Sequence, residues 1–260
     1  MCAALLLWTL TARAHDFWIE PDLFRAETGQ RIDIALRIGE NLSGDSLPFV
    51  PQWFVDYRII TPDGPRPVDA IIGDVPAGHF VPEQEGLYLI GHQSTADFVD
   101  MEAQKFNDYL ESEGLGQIIA MREETGTTND NGREYYSRYA KALVKVGSGT
   151  PDDAYSTVIG YTLELTPLNN PYALQTEDTL KLQLNYLGEP IEGITVIAFN
   201  NKTPEQTQRS ITNADGQAEV RIDSPGVWLI KAIHMIPRDP ADNADAADWE
   251  SYWASLTFRH

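Results

Sequence analysis

Five histidines, His15, His79, His92, His234 and His260, hold most of the ligand chemistry of this chain, and one of them is special by position. Ala12-Arg13-Ala14 is a small-x-small site of the kind on which a secretory leader ends. Cleavage after Ala14 makes His15 the first residue, and its new α-amine and imidazole Nδ1 close a chelate ring on one cation. Nitrogen donors of this type suit copper, nickel, cobalt and zinc. The amine, with a reference pKa of about 7.7–8.0, must lose its proton before it binds, so affinity should rise with pH.

The other histidines are weighed as partners. His234 follows the apolar run Val227-Trp-Leu-Ile-Lys-Ala232 and precedes a loop carrying Asp239, Asp242, Asp245 and Asp248. A strand-end imidazole beside carboxylates makes it the expected second ligand. His92 and His79 flank the turn around Gly86 and meet only if their strands are neighbours, which leaves both as alternative ligands. For each of the three, a core histidine satisfied by a backbone carbonyl is the competing reading. His260 is terminal and expected to fray. The aspartates recur every third position, not at the alternate positions of a calcium loop, so a solvated loop is expected. Met235, between Ile233 and Ile236 in a dense apolar run, reads as packing. Cys2 is the only cysteine and leaves with the leader, so neither disulfides nor thiolate ligands are available.

No serine elbow, His-Glu-x-x-His helix, phosphate loop or catalytic cysteine occurs, and a non-catalytic protein is expected. A copper oxygenase built on the N-terminal histidine is an alternative, needing a second histidine in the same coordination plane and an open substrate face. Trp249 and Trp253, four apart, read as packing rather than as a sugar platform.

Residues 1–14 read as a signal peptide, with an apolar run at 3–10 but no Lys or Arg before it. The run falls short of the roughly 20 residues that cross a bilayer, and the mature chain is expected in the periplasm without a span. The net charge of −20 becomes one unit more negative when Arg13 is removed, which argues against nucleic acid as a partner. Most of these carboxylates serve solubility. A hydrophobic fraction of 42% is that of a folded chain.

The elements that must position these residues are mainly strands. Ile32, Ile34, Leu36 and Ile38 alternate with mostly polar neighbours, and segments 54–60 and 86–91 repeat the signal between Pro/Gly/Asp turns. From Met101 to Ile119 the apolar period becomes helical, and a helical repeat is expected again at Arg133–Lys141, where Tyr135 and Tyr139 stand four apart. Segment 143–146 should return to the sheet. Arg133, Arg138, Lys141 and Lys145 form a basic island expected to serve internal salt bridges and a solvated face, with reception of an anionic group the alternative. Residues 147–153 read as a linker. Strands are then expected at 161–165, 179–184, 194–199, 218–222, 227–232 and 253–258. The expected architecture is two β-sandwich domains: 15–150, with a helical insertion at about 100–141, and 151–260, immunoglobulin-like or transthyretin-like.

The segments His15-Asp-Phe-Trp-Ile-Glu-Pro21, Tyr136-Ser-Arg-Tyr-Ala-Lys-Ala-Leu143, Pro167-Leu-Asn-Asn-Pro171, Leu229-Ile-Lys-Ala-Ile-His-Met235 and Asp248-Trp-Glu-Ser-Tyr-Trp-Ala-Ser-Leu-Thr-Phe258 occur in that order. Together they resemble an uncharacterised bacterial periplasmic family described as the periplasmic component of a cobalt or nickel ABC-type transport system. The resemblance implies a protein that captures nickel or cobalt, with copper the alternative by affinity order, and hands it to a membrane importer. A cell-envelope binding or adhesion module without metal is the competing class.

Overall fold

Alternating sequences pair into sheets because one side of each strand is apolar and must be covered. In the computed structural model, which describes residues 16–149, 153–238 and 247–260, the chain is mainly β, with three sheets and two helices. Among the described residues no helix is long and apolar enough to cross a membrane.

A ten-stranded sheet runs through the centre. Its order from one edge is Gln208–Ile211, Thr195–Asn200, Val227–Pro237, Trp249–Arg259, Gly132–Val146, Gly86–Ser94, Phe54–Thr61 and Gly64–Pro67; Arg25–Ala26 and Asp97–Met101 also pair with Gly132–Val146. An N-terminal sheet of Asp16–Pro21, Ile32–Glu40, Ser43–Leu47 and Gly78–Phe80 covers one face. A C-terminal sheet of Leu163–Pro167, Thr179–Tyr186, Glu189–Pro190 and Gln217–Arg221 covers the other.

Strand alternation keeps the two cores apart. On Gly132–Val146, Ala140, Ala142 and Val144 join Phe17, Ile19 and Ile34, whereas Tyr139 and Leu143 join Leu163, Leu182 and Trp228. The boundary expected at residue 150 separates the two covering sheets but not the central one, which both halves build. Gly132–Val146 and Trp249–Arg259 are joined in parallel from Glu134↔Trp249 to Ala142↔Thr257.

The helical insertion is shorter than expected. Helices Ala103–Ser112 and Gly116–Thr125 bury Phe106, Tyr109, Leu110 and Ile118 against Ile233, Met235 and Trp249, and Gly126 ends the second in the left-handed conformation. The repeat expected to be helical at Arg133–Lys141 is strand instead. A four-residue tyrosine spacing satisfies a period of 2 as well as one of 3.6, and aromatic residues favour the pleated surface.

One ion pair fastens the C-terminal sheet to the central one. Lys141 and Glu164 meet with both side chains 2% exposed. The Glu164 carboxylate also accepts the backbone N–H groups of Ile159, Gly160 and Tyr161 at 2.7, 2.9 and 3.1 Å, and the Lys141 ammonium donates to the Thr157 carbonyl and the Thr166 hydroxyl. Every polar atom of the pair is met, as burial demands.

Candidate functional site

His92 sits near the end of Gly86–Ser94, where alternation turns it toward the N-terminal sheet with Tyr88 and Ile90. Its neighbour Gly91 faces the opposite way: a Cβ there would meet the Tyr161 hydroxyl at 2.5 Å. The His92 ring is boxed by Phe17, Phe54 and Tyr57, with centroid distances of 5.0, 4.6 and 5.8 Å. It is 1% exposed, yet among the described residues neither Nδ1 nor Nε2 has a hydrogen-bond partner. Burial, and secondarily the Arg138 cation, push its pKa down to about 3, so the imidazole is neutral at physiological pH.

A cavity of about 310 Å³ opens beside this ring. Phe17, Leu36, Leu47, Trp53 and Phe54 give it apolar walls, and Trp53 is half exposed. Its polar groups are few: His92, Ser94, Thr95, Asp97, Tyr136 and Arg138. The Tyr136 hydroxyl donates to the Asp97 carboxylate at 3.0 Å, while the Arg138 guanidinium lies 4.6 Å from the Tyr136 ring centroid and 5.5 Å from that of Phe17. Within the basic island Arg133 is paired with Asp248 and Lys141 with Glu164, as expected of internal salt bridges. Arg138 has no ion pair among the described residues, and its Nε is buried without a hydrogen bond. An apolar concavity with a few convergent polar groups is the usual form of a small-ligand site.

Of the residues expected to bind a metal, His15 lies outside the described residues. The next residues are firmly placed: Lys231 donates to the Asp16 carboxylate at 2.5 Å and to Glu113 at 2.8 Å, and Phe17 lines the cavity. Burial opposes the Lys231 charge, but attraction to Asp16 and Glu113 outweighs it and raises the pKa.

His234 is not near His92. It lies on Val227–Pro237 in register with Tyr252, and alternation turns it with Trp228, Ile230 and Ala232 toward the C-terminal sheet. There the Tyr186 and Tyr252 rings pack on it at 4.6 and 6.4 Å, its Nδ1 has no partner, and burial lowers its pKa. The central sheet therefore separates His234 from His92. His79 belongs to the N-terminal sheet, half-buried, between the core residues Gly78 and Phe80 and held by backbone hydrogen bonds with Asp69. The strands of His79 and His92 lie in different sheets, so the two are not strand neighbours. Of the aspartates after His234, 239, 242 and 245 lie outside the described residues, and Asp248 holds Arg133. Among the described residues no group of three or more His, Cys, Asp or Glu could hold a metal ion.

Sequence reasoning placed Arg138 in the basic island but missed its position in this cavity and the aromatic box around His92. The signal for Arg138 was present, since Tyr136 and Arg138 fall on one face of a strand, but it was hidden by the helical reading of that segment.

A family model described as "Domain of unknown function (DUF4198)" matches residues 12–236. Comparison with curated proteins finds no match. Among solved structures, the D0-D1 domain of Intimin is 10% identical, the match covering 94% of this chain and 97% of that one with a TM-score of 0.21. The native conformation of E. coli alpha-2-macroglobulin is 12% identical over 95% of this chain, which spans 14% of that protein, with a TM-score of 0.22.

Proposed function

The chain belongs to the DUF4198 family, a domain family of unknown function, and from that premise we propose that it is a periplasmic transition-metal-binding protein in which His92 joins a mature N-terminal His15. The metal is nickel or cobalt by the resemblance described above and copper by affinity order. It is cargo, captured for a membrane importer, and no bond is made or broken in the protein.

One observation carries this reading: His92 is a buried, neutral imidazole whose two ring nitrogens have no partner, at the wall of a cavity. A buried polar group left unpaired costs about 1–3 kcal/mol, and a ligand that accepts its lone pair recovers that cost. Neutral imidazole is the form that coordinates a metal. Phe17, whose ring packs on that of His92 at 5.0 Å, follows His15 by two residues in the sequence. The amine and imidazole of His15 with one nitrogen of His92 make three donors. A copper oxygenase would use the same three, but His92 faces a concave, aromatic-walled cavity and not a flat face, which favours capture.

The test is calorimetric titration of nickel, cobalt and copper into three proteins: one beginning at His15, one with a single residue added before it, and His92→Phe. The two changes are expected to lower affinity on the order of 100-fold, as losing a ligand or its support does. Equal affinity in all three removes this site.

A further inference from the structure

Arg138 is a cation set at the wall of an apolar cavity without an anion. Its Nε is buried without a hydrogen bond, and it forms no ion pair among the described residues. The Tyr136 and Phe17 rings lie 4.6 and 5.5 Å from the guanidinium carbon, but a ring face attracts the charge without supplying a lone pair, so the Nε–H stays unmet. The carboxylate on the cavity wall does not fill this place. Asp97 is exposed, and its two oxygens accept from the Tyr136 hydroxyl at 3.0 Å and from the Phe98 backbone N–H at 2.8 Å. The chain has 39 acidic against 19 basic residues, so a shortage of carboxylates is not why Arg138 lacks one.

The walls set the rest of the ligand. The cavity is about 310 Å³, which at the roughly 30 Å³ that one water takes up in the liquid is room for about ten non-hydrogen atoms. Phe17, Leu36, Leu47, Trp53 and Phe54 offer water no hydrogen bonds, so an apolar body displaces it favourably. Ser94, whose hydroxyl oxygen accepts the Arg138 backbone N–H at 2.9 Å, keeps its own proton to donate. His92, neutral at physiological pH, adds one N–H and one lone pair at the same wall without a charge.

We propose that the cavity binds a small monocarboxylate with an apolar, ring-sized body, its carboxylate on the Arg138 guanidinium and its body between Phe17, Trp53 and Phe54. This ligand needs neither a cation nor His15, so it goes beyond the metal reading and stands apart from it. The guanidinium gives the carboxylate a charge-assisted contact in a fixed fork geometry. The acidic surface repels anions at long range, but ordinary salt screens that repulsion beyond about 8–10 Å and leaves the direct contact with Arg138 in place.

The probes are phenylacetate, the uncharged phenylacetamide of the same shape, and acetate, which keeps the charge and loses the body. Equilibrium dialysis is run in EDTA, so that no metal takes part, with the wild type, Arg138→Met and Trp53→Ala; Trp53 is half exposed, so its truncation spares the core. Phenylacetate is expected to bind at least about tenfold more tightly than either other probe, and Arg138→Met to remove at least about tenfold, the size of one hydrogen bond to a charged group. Trp53→Ala should weaken phenylacetate several-fold. Failure to retain phenylacetate, equal retention of acid and amide, or retention that survives Arg138→Met overturns the proposal. The acid and amide are compared on the wild type and need no variant, and circular dichroism of Arg138→Met with an unchanged thermal midpoint separates a lost contact from a lost fold. Nickel titration without EDTA tests the metal reading separately, so either can fail while the other stands.

Discussion

Two buried polar sites on opposite faces of the central sheet are treated in opposite ways. Toward the C-terminal sheet, Lys141 and Glu164 are almost fully buried, and each is met by the other and by backbone or hydroxyl partners. Toward the N-terminal sheet, His92 is equally buried and has no partner at all. The first arrangement explains itself as architecture, since removing any member leaves a desolvated charge. The second has a standing cost without a structural return, and such costs concentrate where a ligand is meant to arrive. A third group lies between these extremes. Glu134, 1% exposed under the helical insertion, accepts from the Ser251 hydroxyl and from Tyr109 at 3.3 Å, and burial pushes its pKa up to about 7.

The largest effect should come from breaking the satisfied face. Lys141→Met strands the Glu164 carboxylate and is expected to cost about 3–5 kcal/mol in urea unfolding. A Lys141→Met/Glu164→Leu protein should not recover, because three backbone N–H groups then lose their acceptor. Wild-type stability in that double variant would show that the pair is dispensable, and the contrast between the faces would collapse.

Glu134 comes next, and its effect is a slope in pH. Its folded pKa lies above the unfolded value, so between pH 4.5 and about 7 the native state holds one proton more than the unfolded chain. Stability from this group is then fully present below pH 4.5 and falls as pH rises through about 7, by up to about 3 kcal/mol for such a shift. Glu134→Gln cannot ionise. The stability difference between the variant and the wild type should therefore change by that amount from pH 4.5 to pH 8, and a flat difference would mean that Glu134 ionises as freely as an exposed carboxylate.

A smaller effect is expected where no partner exists. His92→Phe keeps an aromatic ring in an aromatic box and removes two unsatisfied nitrogens, so unfolding free energy should stay within about 1 kcal/mol of the wild type or rise. A loss above about 2 kcal/mol would show that His92 is held by interactions the geometry does not reveal, and would move it to the structural side of the comparison.

Why the two faces could not be told apart from residue types has a physical basis. Ile32–Glu40 was legible because alternation of apolar and polar residues is a local property, and Val227–Pro237 because a short, nearly continuous apolar run is one too. The face on which His92 or His234 ends up depends on which strands pair, and the parallel pairing of Gly132–Val146 with Trp249–Arg259 joins residues more than a hundred positions apart. The same pairing gave the two expected sandwiches a common central sheet. Arg138 was read as part of a charged helix because a spacing of four fits either period, and only the strand puts it beside Tyr136, Phe17 and His92. His92 itself was ranked below His234 because neighbouring carboxylates were visible in sequence, whereas the box of Phe17, Phe54 and Tyr57 is brought to it by two other strands.

The smallest expected effect discriminates most sharply between the two histidines. His234 shares with His92 a depressed pKa, aromatic neighbours and a nitrogen without a partner, and differs in the face it occupies. If orphaned nitrogens alone made a metal ligand, His234→Phe would weaken nickel binding as His92→Phe does. Because the central sheet stands between His234 and the Phe17 cavity, His234→Phe should leave nickel affinity unchanged in the same calorimetric titration and alter stability by less than about 1 kcal/mol. A loss of affinity equal to that of His92→Phe would mean that coupling crosses the sheet or that the metal sits on the other face, and the separation drawn between the two faces would be wrong.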